Sequence, residues 1–342
     1  MSRKRLLAFF CALVTLPVFA ADDERWYKVE LLVFTRDPVV TTELFPPSPE
    51  LAYPSASRYL HYPARILEVE EAYPGRTGVD EFGRIVISEP PPAGAILPPP
   101  VEEIAQPEES LEDALDLPSA FLEEVEAPPL RPTPFVALAA DFRELGASGL
   151  RLSRSAGATV QFHETWLQPI PARAEALPLV LDESGDLGEW PELQGTVLIH
   201  RSRYLHIEAN LWRNTRGQDL PAAWRIAPPP LGPVRVITEP FSPAPLAPVT
   251  VTAEPYPVDF SGLPLYRPPR PELTPVFPYR HAITFEQRRR MKRNELHYID
   301  HPAMGILIKI TALDEDALES WAEAELMQSE EWPASLRTRA AP

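Results

Sequence analysis

Apolar and polar residues alternate along three stretches of this chain. In the first, 26–34, every second residue from Tyr27 to Val33 is apolar or aromatic, and 159–168 and 204–212 alternate in a similar way. A period of two is the spacing of a β-strand that buries one face. All three stretches are therefore predicted to be strands, and the first is expected to lie inside a sheet.

Further strands and two helices complete the predicted pattern. A β-rich run at 195–200 precedes the third alternating stretch and predicts a hairpin, and 283–292, 295–299 and 304–311 are predicted to form a meander. Helical character is predicted towards Arg154, and a second helix after Thr311, which has capping-box-like spacing to Asp314. The expected fold class is α+β, a mostly antiparallel β-sheet with about two helices on one face.

Proline accounts for 44 of the 342 residues and interrupts the pattern twice. The range 46–134 is acidic and proline-rich, and 226–277 is a second proline-rich loop segment. Proline breaks helices and central strands, and acidic low-complexity sequence buries little apolar surface. We therefore expect long proline-rich, disordered inserts, with a helical fragment at 110–126, in a single α+β domain. That domain would span 21–342 and be assembled from 24–37, 135–225 and 278–330.

The first twenty residues have the anatomy of a cleavable secretion signal. Basic residues from Arg3 to Arg5 precede an apolar run, Leu6 to Leu16, and a small-x-small cleavage site ends at Ala20. No later run reaches the about 18 apolar residues of a membrane-spanning helix. We therefore expect residues 1–20 to be a signal peptide and the mature chain not to be embedded in a membrane. The single cysteine, Cys11, lies within the signal, so the mature chain would contain no disulfide.

The charge and the motifs exclude several functional classes. A formal net charge of −17 disfavours nucleic acid as a partner. The chain has no G-x-S-x-G elbow, no phosphate-cradling glycine loop, no H-E-x-x-H and no paired C-x-x-C. We therefore expect no enzymatic activity and no cofactor.

A basic stretch near the C-terminus is the candidate binding surface. Arginine binds carboxylates through two parallel hydrogen bonds, and Tyr298, with Tyr204, Trp166 and Trp212, could provide aromatic platforms for sugar rings. Two simpler interpretations remain open. The basic run could be a solvated strand whose charges balance acidic neighbours, and the aromatic residues could belong to the core. The candidate binding residues are Arg288, Arg289, Arg290, Lys292, Arg293, His297, Tyr298, Asp300 and His301.

Four segments together resemble the CsiV family of peptidoglycan-binding proteins from Gram-negative bacteria. They are WYKVELLVFTR (26–36), LRLSRSAGATVQFHETWLQP (150–169), RYLHIEANLW (203–212) and RRRMKRNELHYIDHPAMGILIKI (288–310). The resemblance implies a non-catalytic protein of the periplasm that binds peptidoglycan and supports cell-wall synthesis. It also implies action through LpoA, an outer-membrane lipoprotein that activates a class A penicillin-binding protein.

Two alternatives from other functional classes remain open. The first is a periplasmic assembly factor without affinity for the wall, whose extended proline-rich segments hold protein partners. The second is a metal-dependent cell-wall hydrolase built on His297, Asp300 and His301, with His206, since imidazole and carboxylate together can bind zinc or transfer protons.

Overall fold

The computed structural model describes residues 25–37, 39, 43–90, 129–155, 157–217, 220–221, 223–240, 276–328, 332–333 and 336. The predicted signal peptide and the predicted helical fragment at 110–126 lie outside these residues. The strands are β1 Trp26–Arg36, β2 Thr77–Val79, β3 Ile85–Ser88, β4 Ala158–Pro169, β5 Leu179–Val180, β6 Leu193–Arg201, β7 Leu205–Thr215, β8 Val236–Glu239, β9 His281–Met291, β10 Leu296–Asp300 and β11 Met304–Ala312. The helices are α1 Pro63–Ala72, α2 Gly146–Arg154, α3 Ser184–Leu187 and α4 Glu315–Gln328, with a 3-10 turn at Ala140–Phe142.

Eight of the strands form two four-stranded antiparallel sheets. The first sheet has the order β10-β11-β1-β4 and the second the order β5-β6-β7-β9. The predicted strand β1 lies inside its sheet, between β11 and β4. The α+β class with mostly antiparallel pairing is therefore confirmed.

The two sheets pack face to face around one hydrophobic core. Alternate residues of β1, such as Val29 and Leu31, belong to the same buried cluster as Ile308 of β11 and as Ile207 and Phe285 of the second sheet. This alternation is what the sequence pattern predicted. Stacked sheets lie about 10 Å apart, so the outer faces of the two sheets point away from each other, on opposite sides of the molecule.

Two helices cover part of the outer face of the first sheet. Helix α2 lies so close that a Cβ added at Gly149 would be 3.1 Å from Leu32 Cδ1. Leu318 of α4 packs with Trp26 and Leu167. The outer face at β10 is more open, since Tyr298 of that strand is 49% exposed.

The start of α4 differs from the predicted capping box. The side chain of Asp314 accepts a hydrogen bond from the Ala317 N–H at 3.0 Å, whereas Thr311 belongs to β11. Asp314 is therefore the N-cap residue itself, because the strand continues to Ala312 and the helix begins only at Glu315.

The C-terminal strands do not form the predicted meander. Strand β9 pairs with β7 in the second sheet, whereas β10 pairs with β11 in the first. The apolar residues Phe285 of β9 and Ile299 of β10 belong to the same core cluster, to which they contribute from opposite sheets. The predicted turn at Arg293-Asn294 is present, and Asn294 adopts a φ of 63°. This turn carries the chain from one sheet to the other.

Parts of both proline-rich ranges carry secondary structure that the sequence analysis did not predict. Helix α1 and strands β2 and β3 lie within 46–134, and β8 lies within 226–277. Strand β3 pairs antiparallel with β2 and parallel with β8. Ile66, Ile85 and Val236 pack together in a separate small cluster. A few apolar residues therefore suffice to order these segments against one another.

Candidate binding surfaces

The predicted binding residues are divided between the two outer faces of the molecule. Arg288 and Arg290 pair with Glu208 and His206 of β7 and lie on the outer face of the second sheet. Tyr298 pairs with Leu307 of β11 and lies on the outer face of the first sheet, and Asp300 shares its face. Because the turn after β9 crosses between the sheets, the structure contains two separate surfaces where the sequence analysis expected one.

Arg289 and His301 lie on neither surface. Arg289 is exposed, but it pairs with the buried Ile207 and so points to the opposite side of β9 from Arg288. His301 is half-buried, and its ring packs edge-on against Phe285 with centroids 5.2 Å apart. Burial lowers the pKa of His301, which favours the neutral ring between the sheets.

The remaining predicted residues lie in the turn between β9 and β10 or, for His297, at the start of β10. Lys292 Nζ lies 3.4 Å from Glu295 Oε1, and His297 Nε2 lies 3.0 Å from the backbone nitrogen of Lys292. Arg293 is exposed within the turn. These contacts are local, so they stabilise the turn and add no converging groups to either outer face.

The first surface, which we call the arginine face, lies over β6, β7 and β9. Glu208 of β7 lies beside the outward-pointing arginines of β9, and the ring of Tyr204, just before β7, lies on the same side because it contacts Arg290. Glu286, further along β9, lies on the same side and bounds the surface. The arginine face consists of Arg173, Arg203, Tyr204, Glu208, Arg288 and Arg290.

A single carboxylate organises one half of the arginine face. Arg173 donates two hydrogen bonds to Glu208, each 2.9 Å long, and Arg288 Nε lies 3.3 Å from the same carboxylate. His200 Nε2 lies 3.0 Å from Glu208 Oε1 and the His200 ring stacks on His206. The hydrogen bonds from Arg173 above all lower the pKa of Glu208 to about 2. Glu208 is therefore ionised across the physiological pH range.

The other half of the arginine face has positive charge without a matching carboxylate. Arg290 and Arg203 approach the ring of Tyr204, with Cζ 4.6 Å and 5.6 Å from the ring centroid. Neither guanidinium forms an ion pair with any carboxylate of the described residues. Tyr204 is 43% exposed. Four guanidinium groups thus surround one carboxylate and one open aromatic ring, an arrangement that can bind an anionic ligand.

The second surface is a groove between α2 and β10, which we call the β10 groove. It has a volume of about 660 Å³. Leu307 and Phe34 form its floor, while Arg151 and Leu152 line it on the side of α2 and Tyr298 on the side of β10. Arg36 lies at one end of the groove. The groove therefore combines an apolar floor with a few polar groups, as ligand sites commonly do.

A compact hydrogen-bond network fixes the β10 side of this groove. Arg36 Nη2 lies 2.8 Å from Asp300 Oδ1, and Arg36 Nη1 donates to the His301 carbonyl at 2.8 Å. The hydroxyl of Tyr298 donates to Asp300 and accepts from Arg36. The hydrogen bond from Tyr298 is the main cause that lowers the pKa of Asp300, and burial raises the pKa of Tyr298.

The four aromatic residues considered as platforms divide into two groups. Trp166 and Trp212 are fully buried and belong to the interior. Tyr204 and Tyr298 are 43% and 49% exposed. The alternation of residues 204–212 in the sequence already separated Tyr204 from the core-facing residues, but it assigned Trp212 to the outer side too. Trp212 is buried there because Tyr53 packs edge-on against its ring.

Sequence analysis missed four arginines that the structure places at these surfaces. Arg203 lies in the turn between β6 and β7, Arg173 in the loop before β5, Arg36 at the end of β1 and Arg151 on α2. No local pattern identifies them, because their neighbours at these surfaces come from other strands, helices and loops. The metal cluster considered from the sequence, His206, His297, Asp300 and His301, is not brought together. The described residues contain no group of three or more His, Cys, Asp or Glu that could hold a metal ion. In the same part of the chain, no helix is long and apolar enough to cross a membrane.

Together, these features define an α+β protein in which two packed four-stranded sheets present two exposed surfaces suited to binding ligands. The family model described as "Peptidoglycan-binding protein, CsiV" matches residues 4–313. The chain therefore belongs to the CsiV family, as the resemblance of its four segments predicted. Neither the search of curated proteins nor the search of solved structures found a match.

Proposed function

We propose that this protein is a non-catalytic peptidoglycan-binding protein of the periplasm, and that the arginine face is where it contacts the wall. The observation that carries the proposal is the group of four guanidiniums around one carboxylate and the open ring of Tyr204. The stem peptides of peptidoglycan carry carboxylates, which arginine binds through paired hydrogen bonds. The family membership supports the same ligand.

Local charge matters here more than the charge of the whole chain. The protein carries a formal net charge of −17 and would be repelled by an acidic polymer at long range. At the arginine face, Arg173 and Arg288 already share Glu208, whereas Arg203 and Arg290 are free of described carboxylates. A carboxylate of the wall would therefore bind first between Arg203 and Arg290, next to the Tyr204 ring.

Sedimentation with purified sacculi at low and high salt tests this proposal. We expect the protein to pellet with sacculi at 0.1 M salt, where the screening length is about 10 Å, and to be released at 1 M salt, where it is about 3 Å. Replacing Arg288, Arg289 and Arg290 by Ser should weaken binding and leave the circular dichroism and thermal unfolding nearly unchanged. Absence of pelleting at both salt concentrations would refute wall binding. Equal pelleting at both salt concentrations would refute the role of the arginines.

The link to cell-wall synthesis follows from the family resemblance. In this proposal the protein supports synthesis through an LpoA-type outer-membrane lipoprotein and, through it, a class A penicillin-binding protein. Co-purification of the protein with a purified LpoA-type lipoprotein, in the absence of sacculi, tests this part separately. Lipoprotein binding without sacculus binding would favour the assembly-factor alternative, and sacculus binding alone would remove the lipoprotein from the proposal.

A further inference from the structure

The β10 groove offers a fixed aromatic surface. Tyr298 is about half-exposed, and its hydroxyl is held by Asp300 and Arg36. Its ring lies beside Phe34 over Gly305, where an added Cβ would be 2.5 Å from Phe34 Cζ and 3.2 Å from Tyr298 Cε2. Glycine at position 305 thus makes the space for both rings. An aromatic ring that is held at its hydroxyl and open to solvent can stack on a flat apolar surface without losing much freedom.

The polar groups of the groove mostly compensate one another. Arg36 is paired with Asp300 at 2.8 Å, and Asp37, at the same end, is paired with Arg213 at 2.6 Å. Arg151 is the one guanidinium on the helix side of the groove, and its described hydrogen bonds go to α2 itself. The groove therefore offers donors and acceptors with little net charge, in contrast to the arginine face.

This combination is complementary to a pyranose ring. A sugar has an apolar face of C–H groups, which gains by packing on an aromatic ring, and a rim of hydroxyl and amide groups, which bond well to ionised side chains. A groove volume of about 660 Å³ lies in the range of about 300–1,000 Å³ found for small-molecule sites. An anionic peptide would find far more unmatched positive charge on the arginine face.

We propose that the β10 groove is a second binding site, which takes the N-acetylated hexose backbone of a glycan strand by stacking a sugar ring on Tyr298. The proposal rests on the proposed wall binding, and it divides the polymer between two surfaces. The glycan lies in the groove of the first sheet, and carboxylates of stem peptides lie on the arginine face of the second. Since the outer faces point in opposite directions, the two contacts would be made to different strands of the wall.

Titration of the purified protein with tetra-N-acetylchitotetraose, a neutral oligomer without carboxylates, tests the groove by calorimetry. We expect saturable binding that changes little between 0.1 M and 1 M salt. Replacing Tyr298 by Ala should weaken it about tenfold or more, the effect of losing an aromatic stacking contact. Tyr298→Phe keeps the ring and should weaken binding much less. The Arg288→Ser/Arg290→Ser variant should bind the oligomer like the unaltered protein.

A second variant tests the groove without altering β10, in case Tyr298→Ala changes the folding of that strand. Ser148 lines the groove from α2, so Ser148→Trp should fill the groove and abolish oligomer binding while thermal unfolding stays unchanged. Absence of oligomer binding by the unaltered protein, or binding by Tyr298→Ala or Ser148→Trp that equals binding by the unaltered protein, would overturn the proposal. If the oligomer fails to bind but sacculi still pellet the protein, only the groove proposal fails. If sacculi fail to pellet it as well, the proposed function fails too.

Discussion

A buried carboxylate, Glu30, fixes the helix that forms one wall of the β10 groove. Glu30 is 1% exposed and lies on the outer face of β1. Its two oxygens accept hydrogen bonds from the backbone N–H groups of Glu144 and Leu145, each 2.8 Å long, and one of them lies 2.8 Å from His163 Nε2. These bonds hold the chain immediately before α2 on the sheet. We therefore predict that Glu30→Ala destabilises the protein and loosens the groove.

The expected loss of stability follows from the hydrogen-bond donors that Glu30→Ala leaves without an acceptor. Each buried donor that loses its acceptor costs about 1–3 kcal/mol, and Glu30→Ala removes the acceptor of two backbone N–H groups. His163 retains some solvent access and can bond to water instead. We expect Glu30→Ala to lower the free energy of unfolding by about 4 kcal/mol. Glu30→Gln keeps one acceptor oxygen and should cost about 2 kcal/mol.

Urea unfolding followed by tryptophan fluorescence measures these differences. The matched control is Glu144→Ala, since Glu144 belongs to the same segment but its side chain is 40% exposed and pairs with Lys28 and Lys309 at the surface. Such exposed pairs contribute about 0–1 kcal/mol each, so the control, which removes two of them, should lose at most about half of what Glu30→Ala loses. A loss below about 1 kcal/mol for Glu30→Ala, or equal losses for both variants, would refute the role given to Glu30.

Three further predictions concern Gly305 of β11 and two residues in the turns that connect β9, β10 and β11. Gly305→Ala should cost about 1–3 kcal/mol in urea unfolding, because the new Cβ would collide with Phe34; an unchanged unfolding midpoint would contradict this. Burial lowers the pKa of His301, so the folded chain loses stability as the pH falls below about 6.5, the pKa in the unfolded chain. A His301→Phe variant should lose less stability over the same pH range, and equal losses would contradict this assignment. Asn294 has a φ of 63° and accepts a hydrogen bond from the Ala312 N–H, which both variants lose; Asn294→Ala should therefore cost about 1–2 kcal/mol more than Asn294→Gly in thermal unfolding, and equal losses would contradict this.

Local patterns predicted most strands of the two sheets correctly. The alternation of 26–34 and 204–212 reflects side chains that pack on one shared core, so sequence period and burial agree. The turn at Asn294 was also predictable from residue type. Pairing between distant strands could not be predicted, because no local sequence pattern indicates that β9 pairs with β7 rather than with β10.

The candidate site was predicted in part for the same reason. The basic character of β9 is visible in the sequence, but the partners of Arg288 are not, since Glu208 comes from β7 and Arg173 from a loop. The same strand pairing separates Tyr298 from these arginines. The order within 63–88 was missed because short apolar runs there are surrounded by proline and acidic residues and pack against residues distant in sequence, such as Val236 of β8 and Leu336.

The most direct test of wall binding by the arginine face compares two variants that lose equal charge. Arg288→Ser/Arg290→Ser removes two arginines from the face, whereas Arg289→Ser/Arg293→Ser removes one from the other side of β9 and one from the following turn. The measurement is the dissociation constant for purified sacculi at 0.1 M salt.

Hydrogen bonds to charged groups contribute about 1.5–3 kcal/mol each, and about 1.4 kcal/mol corresponds to a tenfold change in affinity. We predict that Arg288→Ser/Arg290→Ser weakens sacculus binding about tenfold or more, while Arg289→Ser/Arg293→Ser changes it by less than about twofold. Equal weakening by both variants would contradict wall binding by the arginine face, because only the total charge of this part of the chain would then matter.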